Sequence, residues 1–163
     1  SVASWMSTFP EDDNILIDIS DNSDRLVVGQ NSNVQVTQLD NRLIGVVIAD
    51  GTVTTVGFTT SGGVLFGTDT GQVGYINSLI LQINVEFRHE SAIRDVISTD
   101  DESLIVVAEE NGTITFWQLN NSVLPLRTIQ LDETVGSLEF SEDNTMLFIR
   151  DVDGYLITTL LTQ

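Results

Sequence analysis

Residues 104–118 read LIVVAEENGTITFWQ, two largely apolar runs on either side of the turn Glu110-Asn111-Gly112. Alternating runs rich in β-branched residues favour strands, and the turn ends on a glycine, which adopts positive φ without steric cost. The stretch therefore predicts an antiparallel β-hairpin. Similar short runs, broken by Asn, Asp and Gly, fill the rest of the chain, and none sustains a helical period. The sequence predicts an all-β fold.

The hairpin belongs to a unit that occurs four times along the chain. In each unit two positions two residues apart, apolar in all but one case, precede a hydroxyl residue, and a leucine follows that hydroxyl six residues later. The hydroxyl residues, which lie 39, 39 and 43 residues apart, are Ser20, Thr59, Ser98 and Ser141. A repeat of this length is typical of the four-stranded blade of a β-propeller. The chain is therefore predicted to fold as four blades of antiparallel strands.

The third unit resembles the WD40 repeat. His89 and Trp117 lie 28 residues apart, which resembles the spacing between the histidine of that family's Gly-His pair and the tryptophan of its Trp-Asp pair. The unit departs from the family where Arg88 replaces the glycine, Gln118 replaces the aspartate, and Val107 stands where a hydrogen-bonding hydroxyl is expected. The resemblance implies a divergent WD40-type propeller. Near the tryptophan position the other units carry Thr37, Ile76 and Thr159.

The units divide the chain into a closing strand and four blades. We expect the closing strand at residues 1–13 and the blades at residues 14–50, 51–90, 91–132 and 133–163. The fourth blade shows three strands and lacks its outer one. WD40-like rings commonly close by pairing an N-terminal strand with the last blade. The resemblance therefore places Trp5 and Phe9 in a segment that closes the ring or binds a partner.

Four blades would leave a WD40-type ring open, because rings of this resemblance usually have more. Two copies related by a two-fold axis would complete an eight-bladed ring, each lending its first strand to the other's last blade. A homodimer is therefore expected. The alternative is that the chain is part of a larger propeller whose other blades lie elsewhere. Its start at Ser1, without a methionine, fits either a processed form or an excised part.

Acidic residues strongly outnumber basic ones. The chain has 24 Asp and Glu residues, six arginines and no lysine, and its net charge is −18. A field of this sign repels phosphate backbones and anionic lipid, so we expect a protein or peptide partner and neither nucleic acid nor a membrane. No apolar run approaches the roughly 20 residues of a membrane span, and the N terminus lacks signal-peptide features. A cytoplasmic location and secretion after processing both fit.

Groups suited to catalysis are sparse. There is no cysteine, and the single histidine, His89, is expected to be a buried hydrogen-bonding residue at a blade turn rather than a general base. No serine stands in a Gly-x-Ser-x-Gly elbow, and no glycine loop is suited to cradling phosphate. We therefore expect no catalytic residue, no cofactor and no enzymatic activity.

Asp95 stands out among the carboxylates because the other units place apolar residues at its position, namely Ile17, Val56 and Leu138. A carboxylate there would point toward the inner packing or the central channel and would need Arg94, a water or a backbone group as partner. Asp95, Arg94 and His89 therefore form a possible inward polar site. A strand register shifted by one residue is the alternative.

A weak candidate for calcium binding lies near the C terminus. Asp151 and Asp153 belong to an Asp-x-Asp-Gly stretch that could donate carboxylate oxygens, but a complete loop needs a further acidic ligand. A solvated hairpin turn explains the same residues. We therefore expect no metal site elsewhere in the chain.

Two classes of function fit these observations. The first is a non-catalytic propeller that acts as a protein-protein interaction scaffold or assembly subunit, as the resemblance implies. The second is a propeller that binds a small ligand or carbohydrate in a central pocket. A carboxylate-based hydrolase is a weaker form of the second class, because it needs two inward carboxylates and only Asp95 is indicated.

Overall fold

The computed structural model describes residues 14–40, 42–77, 82–118 and 124–160. Within these ranges the chain forms fifteen strands, which make four antiparallel sheets in chain order, each a simple meander. This confirms the predicted all-β fold of four blades. Among the described residues there is no helix that could cross a membrane.

The four sheets are called blades 1 to 4. Blade 1 contains β1 (Ile15–Ile19), β2 (Arg25–Gln30), β3 (Asn33–Gln38) and β4 (Leu43–Ile48). Blade 2 contains β5 (Val53–Phe58), β6 (Val64–Thr68), β7 (Gln72–Asn77) and β8 (Gln82–Arg88). Blade 3 contains β9 (Ile93–Ser98), β10 (Leu104–Glu109), β11 (Thr113–Gln118) and β12 (Leu124–Gln130). In blade 4 the described strands are β13 (Val135–Phe140), β14 (Met146–Asp151) and β15 (Leu156–Leu160).

The first strands of successive blades contact one another and form the inner side of the array. β1 packs against β5, β5 against β9, and β9 against β13. No comparable contact joins β13 back to β1 in the described part of the chain. The described residues of the four blades therefore form an open arc, and no described strand packs on the outer face of blade 1 or of blade 4.

Alternation along each strand creates a separate core between each pair of blades. In β6, Phe66 packs toward blade 1 while its neighbour Leu65 packs toward blade 3. In β10, Val107 packs toward blade 2 while Val106 packs toward blade 4. The second strands of blades 2 and 3 are therefore buried on both faces, which explains their unbroken apolar character.

Each blade joins its first two strands through one conserved turn geometry. In every turn the residue three positions after a hydroxyl residue has positive φ and donates its N–H to that residue's carbonyl; these residues are Ser23, Gly62, Glu102 and Asn144. In three blades the hydroxyl oxygen also accepts the N–H of the residue five positions later. The hydroxyl residues at this position are Ser20, Thr59, Thr99 and Ser141.

The hydroxyl of the third unit is therefore Thr99, and the expectation of Ser98 is wrong by one residue. Ser98 instead ends β9 and pairs with Ile105, just as Ile19 pairs with Leu26 in blade 1. Two hydroxyl residues stand side by side at this point of the sequence. The pattern of letters could not distinguish them, whereas the hydrogen bonds do.

The same turns also connect neighbouring blades. Arg25 of blade 1 donates to the carbonyl of Gly62 in blade 2 at 3.1 Å. Glu102 of blade 3 reaches back and accepts the N–H of Ser61 in blade 2 at 2.8 Å. Asn144 of blade 4 donates to Asp100 of blade 3 at 3.1 Å. The rim formed by these turns therefore fixes each blade relative to the next.

We predict that Gly67→Ala destabilises the fold by about 1–3 kcal/mol, because an added Cβ would overpack a blade interface. That Cβ would lie 2.7 Å from Cβ of Ile93 in the next blade. The matched control is Gly57→Ala, whose Cβ would have Asp18 Oδ2 as its nearest neighbour at 3.5 Å. We expect the control to change stability by less than about 0.5 kcal/mol. Equal midpoints for both variants in urea unfolding would contradict the close packing of blades 2 and 3.

A second prediction concerns the turn of blade 4 in acid. Hydrogen bonds from the hydroxyls of Ser141 and Thr145, both at 2.7 Å, lower the pKa of Asp143 to about 2. Because this lies below the unfolded value of about 3.9, ionised Asp143 stabilises the fold above about pH 4, and the contribution is lost as the pH falls toward 2. Asp143→Asn should therefore lose less stability than wild type between pH 5 and pH 2.

The readout for Asp143 is the free energy of unfolding by urea, measured across that pH range. Asp153→Asn is the control, since it removes the same charge from a turn where this carboxylate accepts no hydrogen bond from a described residue. We expect the control to follow the wild-type curve. Parallel curves for wild type and Asp143→Asn would show that the turn does not depend on the ionised carboxylate.

Candidate functional site

The inner strands of the four blades line a cavity of about 370 Å³. Two carboxylates, Asp18 of β1 and Asp95 of β9, belong to its wall. The remaining wall is formed mainly by apolar and hydroxyl side chains of β5 and β9. Polar groups that converge on an inner cavity make this the place to look for chemistry.

Asp18 connects blade 1 to blade 2. Its Oδ2 accepts the backbone N–H of Phe58 on β5 at 2.7 Å, and its Oδ1 accepts the N–H of Ile19 at 2.8 Å. One carboxylate therefore satisfies one amide on its own strand and one on the inner strand of the next blade.

Asp95 repeats this arrangement between blades 3 and 4. Its Oδ2 accepts the N–H of Leu138 on β13 at 2.7 Å, and its Oδ1 accepts the N–H of Val96 at 2.9 Å. The hydroxyl of Thr55 in blade 2 also donates to Oδ1, at 3.2 Å. Burial raises the pKa of Asp95, although the amides of Leu138 and Val96 act in the opposite direction. The carboxylate of Asp95 thus contacts three blades.

These contacts provide hydrogen-bond acceptors for backbone amides at the inner edge of the sheets. The first strand of a blade has no further strand beside it, so some of its amides lack a sheet partner, and buried amides without partners are costly. Asp18 and Asp95 cap such amides on both sides of a blade interface. Carboxylate oxygens that accept two or three hydrogen bonds from the protein are suited to holding blades together rather than to transferring protons.

The position assigned to Asp95 from the sequence is corrected by the strand pairing. Asp95 pairs with Ala108, and its equivalents by register are Leu16, Thr55 and Ser137 rather than Ile17, Val56 and Leu138. The pairing of β9 with β10 skips Arg94, which is a one-residue bulge. The misplacement follows from taking Ser98 rather than Thr99 as the turn hydroxyl. Counted from Thr99, Asp95 stands four residues before the hydroxyl, which is the position of its equivalents in the other blades.

His89 lies in a different environment from Asp95. Its Nδ1 is 3.0 Å from Oε1 of Glu109, and the side chains of both residues are at least nine-tenths buried. Glu109 also accepts the N–H of Ser91 at 3.0 Å. The ring of Trp117 meets the His89 ring edge-on, with centroids 5.6 Å apart. The structure therefore places His89 with Glu109 and Trp117, and the sequence did not indicate Glu109 as its partner.

Arg94 is not part of either group. Its guanidinium is exposed and forms an ion pair with Glu110. The three residues of the inward polar site, Asp95, Arg94 and His89, thus have separate partners. The sequence missed Asp18, whose only signal was that it lies on the opposite side of β1 from Ile17 and Ile19.

The remaining candidate residues are placed as follows. Asp151 is buried, and its carboxylate accepts the N–H groups of Asp153 and Tyr155 at 2.9 and 2.8 Å, which is the geometry of a hairpin turn. Across the described ranges no group of three potential ligands could hold a metal ion. Trp5 and Phe9 lie outside the described residues.

We predict that Val107→Thr leaves the free energy of unfolding nearly unchanged or raises it. A buried hydroxyl in an apolar core is normally destabilising. In the described part of the chain, His89 Nε2 and Trp117 Nε1 are buried without a hydrogen-bond partner. Val107 belongs to the buried cluster against which Trp117 packs, so a hydroxyl there could partner these nitrogens.

The control for Val107 is its neighbour, Val106→Thr. Val106 is equally buried but packs on the opposite face, in the core shared with blade 4. We expect Val106→Thr to cost about 1–3 kcal/mol, as for a buried polar group without a partner. If both variants lose the same free energy in urea unfolding, then the two ring nitrogens are not available to a hydroxyl at position 107.

Comparisons with known proteins agree with this architecture. No family model matches the chain. A WD repeat-containing protein 55 homolog from Drosophila ananassae is 32% identical over 73 residues, which is 45% of this chain; the match spans 15% of that protein's length. Among solved structures, the crystal structure of the computationally designed Ika4 protein is similar with a TM-score of 0.77 and 21% identity, over 94% of each chain.

The structural similarity shows the fold, and the sequence similarity indicates the type of repeat. Four meander sheets follow one another in the described residues, with inner strands in contact and a His-Trp pair in the third. Together these findings show that the chain has a propeller fold of four blades, with repeats that are similar to those of a WD repeat-containing protein.

Proposed function

We propose that the chain is a non-catalytic propeller module that acts as an assembly subunit, and that its partner is a second copy of itself. Two four-bladed arcs would close into one eight-bladed ring. Proteins of the resembled family generally bind protein partners, which supports a role in interaction. The carboxylates of the inner cavity are already used by backbone amides, so we assign no reaction to them.

The uncovered face of blade 1 is the observation that carries this proposal. Five apolar side chains are exposed on it, with 43–65% of their surface accessible: Ile17, Ile19, Leu43, Val46 and Ile48. The pairing of β1 to β4 places these residues on the side opposite to Leu16 and Val27, which pack toward blade 2. On this face Ile17 and Ile19 of β1 are separated from the three residues of β4 by the polar Asn33, Gln35 and Thr37 of β3. Exposed apolar groups on an end blade nevertheless favour an interaction surface.

Blade 4 has the complementary uncovered face. In β14, Leu147 and Ile149 pack toward blade 3, so Met146, Phe148 and Arg150 face away from it. Leu156, which pairs with Arg150, is 53% exposed. This side of blade 4 is the one that receives the following blade in blades 1, 2 and 3. The face combines the apolar Met146, Phe148 and Leu156 with the polar Ser137, Glu139, Arg150 and Thr158.

A second copy fits both faces at once. The outer face of blade 4 can pack against a following blade, and the outer face of blade 1 can pack against a preceding blade. In two chains related by a two-fold axis, blade 4 of each chain would pack against blade 1 of the other. Eight blades lie within the usual range of propellers. Closure would also cover the apolar surface that an arc exposes to water. The interface would continue the series of blade contacts already present within the chain.

The outer edge of blade 4 is a further place for a contact between copies. β15 is the outermost described strand of this blade, and an open strand edge pairs readily with another strand. We propose that the N-terminal segment with Trp5 and Phe9 supplies this strand. The completed ring, with a net charge of −18 on each chain, would then serve as a scaffold for basic protein partners.

Ile17→Asp should convert the assembled protein into single chains, because it places a charge among the exposed apolar side chains of β1, the inner strand of blade 1. The measurement is absolute mass by light scattering behind a sizing column. We expect wild type to give twice the 17.9 kDa chain mass and the variant to give 17.9 kDa. The variant should retain the unfolding behaviour of the single chain, since Ile17 is 50% exposed.

Leu126→Asp is the matched control for Ile17. Leu126 is 58% exposed and lies on β12, the outer strand of blade 3, which is an internal blade of the array. We expect its mass to equal that of wild type. A wild-type mass of 17.9 kDa at all concentrations would overturn the proposed assembly.

A further inference from the structure

One position on the second strand of each blade holds a different kind of residue in blade 4 than in blades 1, 2 and 3. In each blade this position pairs with the equivalent position of the inner strand. The four pairs are Leu16 with Gly29, Thr55 with Gly67, Asp95 with Ala108, and Ser137 with Arg150. Blades 1, 2 and 3 therefore have Gly or Ala at this position. Blade 4 has the large, charged Arg150.

Small residues are needed at this position because the next blade packs directly on it. A Cβ on Gly29 would lie 3.0 Å from Cγ1 of Val53, and one on Gly67 would lie 2.7 Å from Cβ of Ile93. Ala108 and Val135 are fully buried in the same core. Val53, Ile93 and Val135 each begin the inner strand of their blade. Every internal interface thus pairs a small residue with a β-branched apolar one.

The two residues that make this contact at the internal interfaces are replaced by polar residues at the two ends of the array. Val53, Ile93 and Val135 each stand two residues before the inner-strand position defined above, and the residue two positions before Leu16 is Asn14. Asn14 is exposed and follows the acidic run Glu11-Asp12-Asp13 in the sequence. Arg150 is also exposed, and no carboxylate of the described residues pairs with it.

We infer that Arg150 is the residue that selects blade 1 of a second copy as the blade that follows blade 4. In place of the small-to-apolar contact of the internal interfaces, the closing junction brings the Arg150 guanidinium of one copy to the side chain of Asn14 in the other. The inference rests on the proposed assembly. A two-fold ring contains this polar contact twice.

The same residue excludes other arrangements. A blade that begins with Val or Ile would bury the guanidinium against apolar groups, and an unpaired buried charge is strongly unfavourable. A blade that begins with Asn offers the side-chain amide oxygen as an acceptor for the guanidinium. Arg150 therefore disfavours the packing of blade 4 on any exposed blade other than blade 1. This is a way to set the order of blades around the ring.

The test is sedimentation velocity over a range of concentrations, which gives the dissociation constant of the two copies. Arg150→Glu should weaken association by at least about tenfold, since it reverses the charge at a contact made twice. Asn14→Arg in the same chain creates an oppositely charged pair across the junction, so Arg150→Glu with Asn14→Arg should regain most of the lost affinity. Recovery by the second substitution identifies a direct contact.

Arg127→Glu is the matched control, because it makes the same change in net charge on the outer strand of blade 3. We expect it to alter the dissociation constant by less than about twofold, in line with a charge remote from the interface. If wild type associates but Arg150→Glu and Arg127→Glu weaken it equally, or if Asn14→Arg gives no recovery, the inference is wrong and the proposed assembly stands. A wild type that never associates refutes the assembly itself.

Discussion

The contact between the inner strands of successive blades is the interaction on which the rest of the structure depends. A four-stranded sheet of this size cannot bury either of its faces alone, so each blade is stable only against a neighbour. The inner strands also have a free edge, and Asp18 and Asp95 cap amides across two of the three interfaces. Two kinds of contact therefore stabilise each of these interfaces. Apolar cores fill the space between the blades, and the carboxylates satisfy backbone amides at the inner edge of the sheets.

An array held together by neighbour contacts necessarily leaves two faces uncovered at its ends. In this chain the end faces are built differently from the internal ones. The face of blade 1 exposes isoleucines that no described strand covers, and the face of blade 4 carries Arg150 where the other blades carry Gly or Ala. The end faces therefore differ from the internal ones, and we propose that they pack against each other. This difference is the physical basis for the proposed two-chain ring.

Much of the fold could be predicted because it depends on patterns among residues that are close in the sequence. The repeat of about 40 residues and the alternation of side chains reflect the four strands of a blade, and turns such as Glu110-Asn111-Gly112 are specified by neighbouring residues. The candidate site was less accessible. Asp95 was recognised, but its position was counted from Ser98 instead of Thr99, and two adjacent hydroxyl residues cannot be told apart by the letters of one sequence. The roles of Asp18 and Glu109 depend on partners 40 and 20 residues away.

The central claim is that two four-bladed arcs complete one ring. Small-angle X-ray scattering of the wild-type protein tests it most directly, because forward scattering gives the mass and the distance distribution gives the shape in the same solution. The account predicts a mass of twice 17.9 kDa and the profile of a closed disc with a central channel. A mass of 17.9 kDa with the profile of a single arc, at every concentration measured, would contradict it.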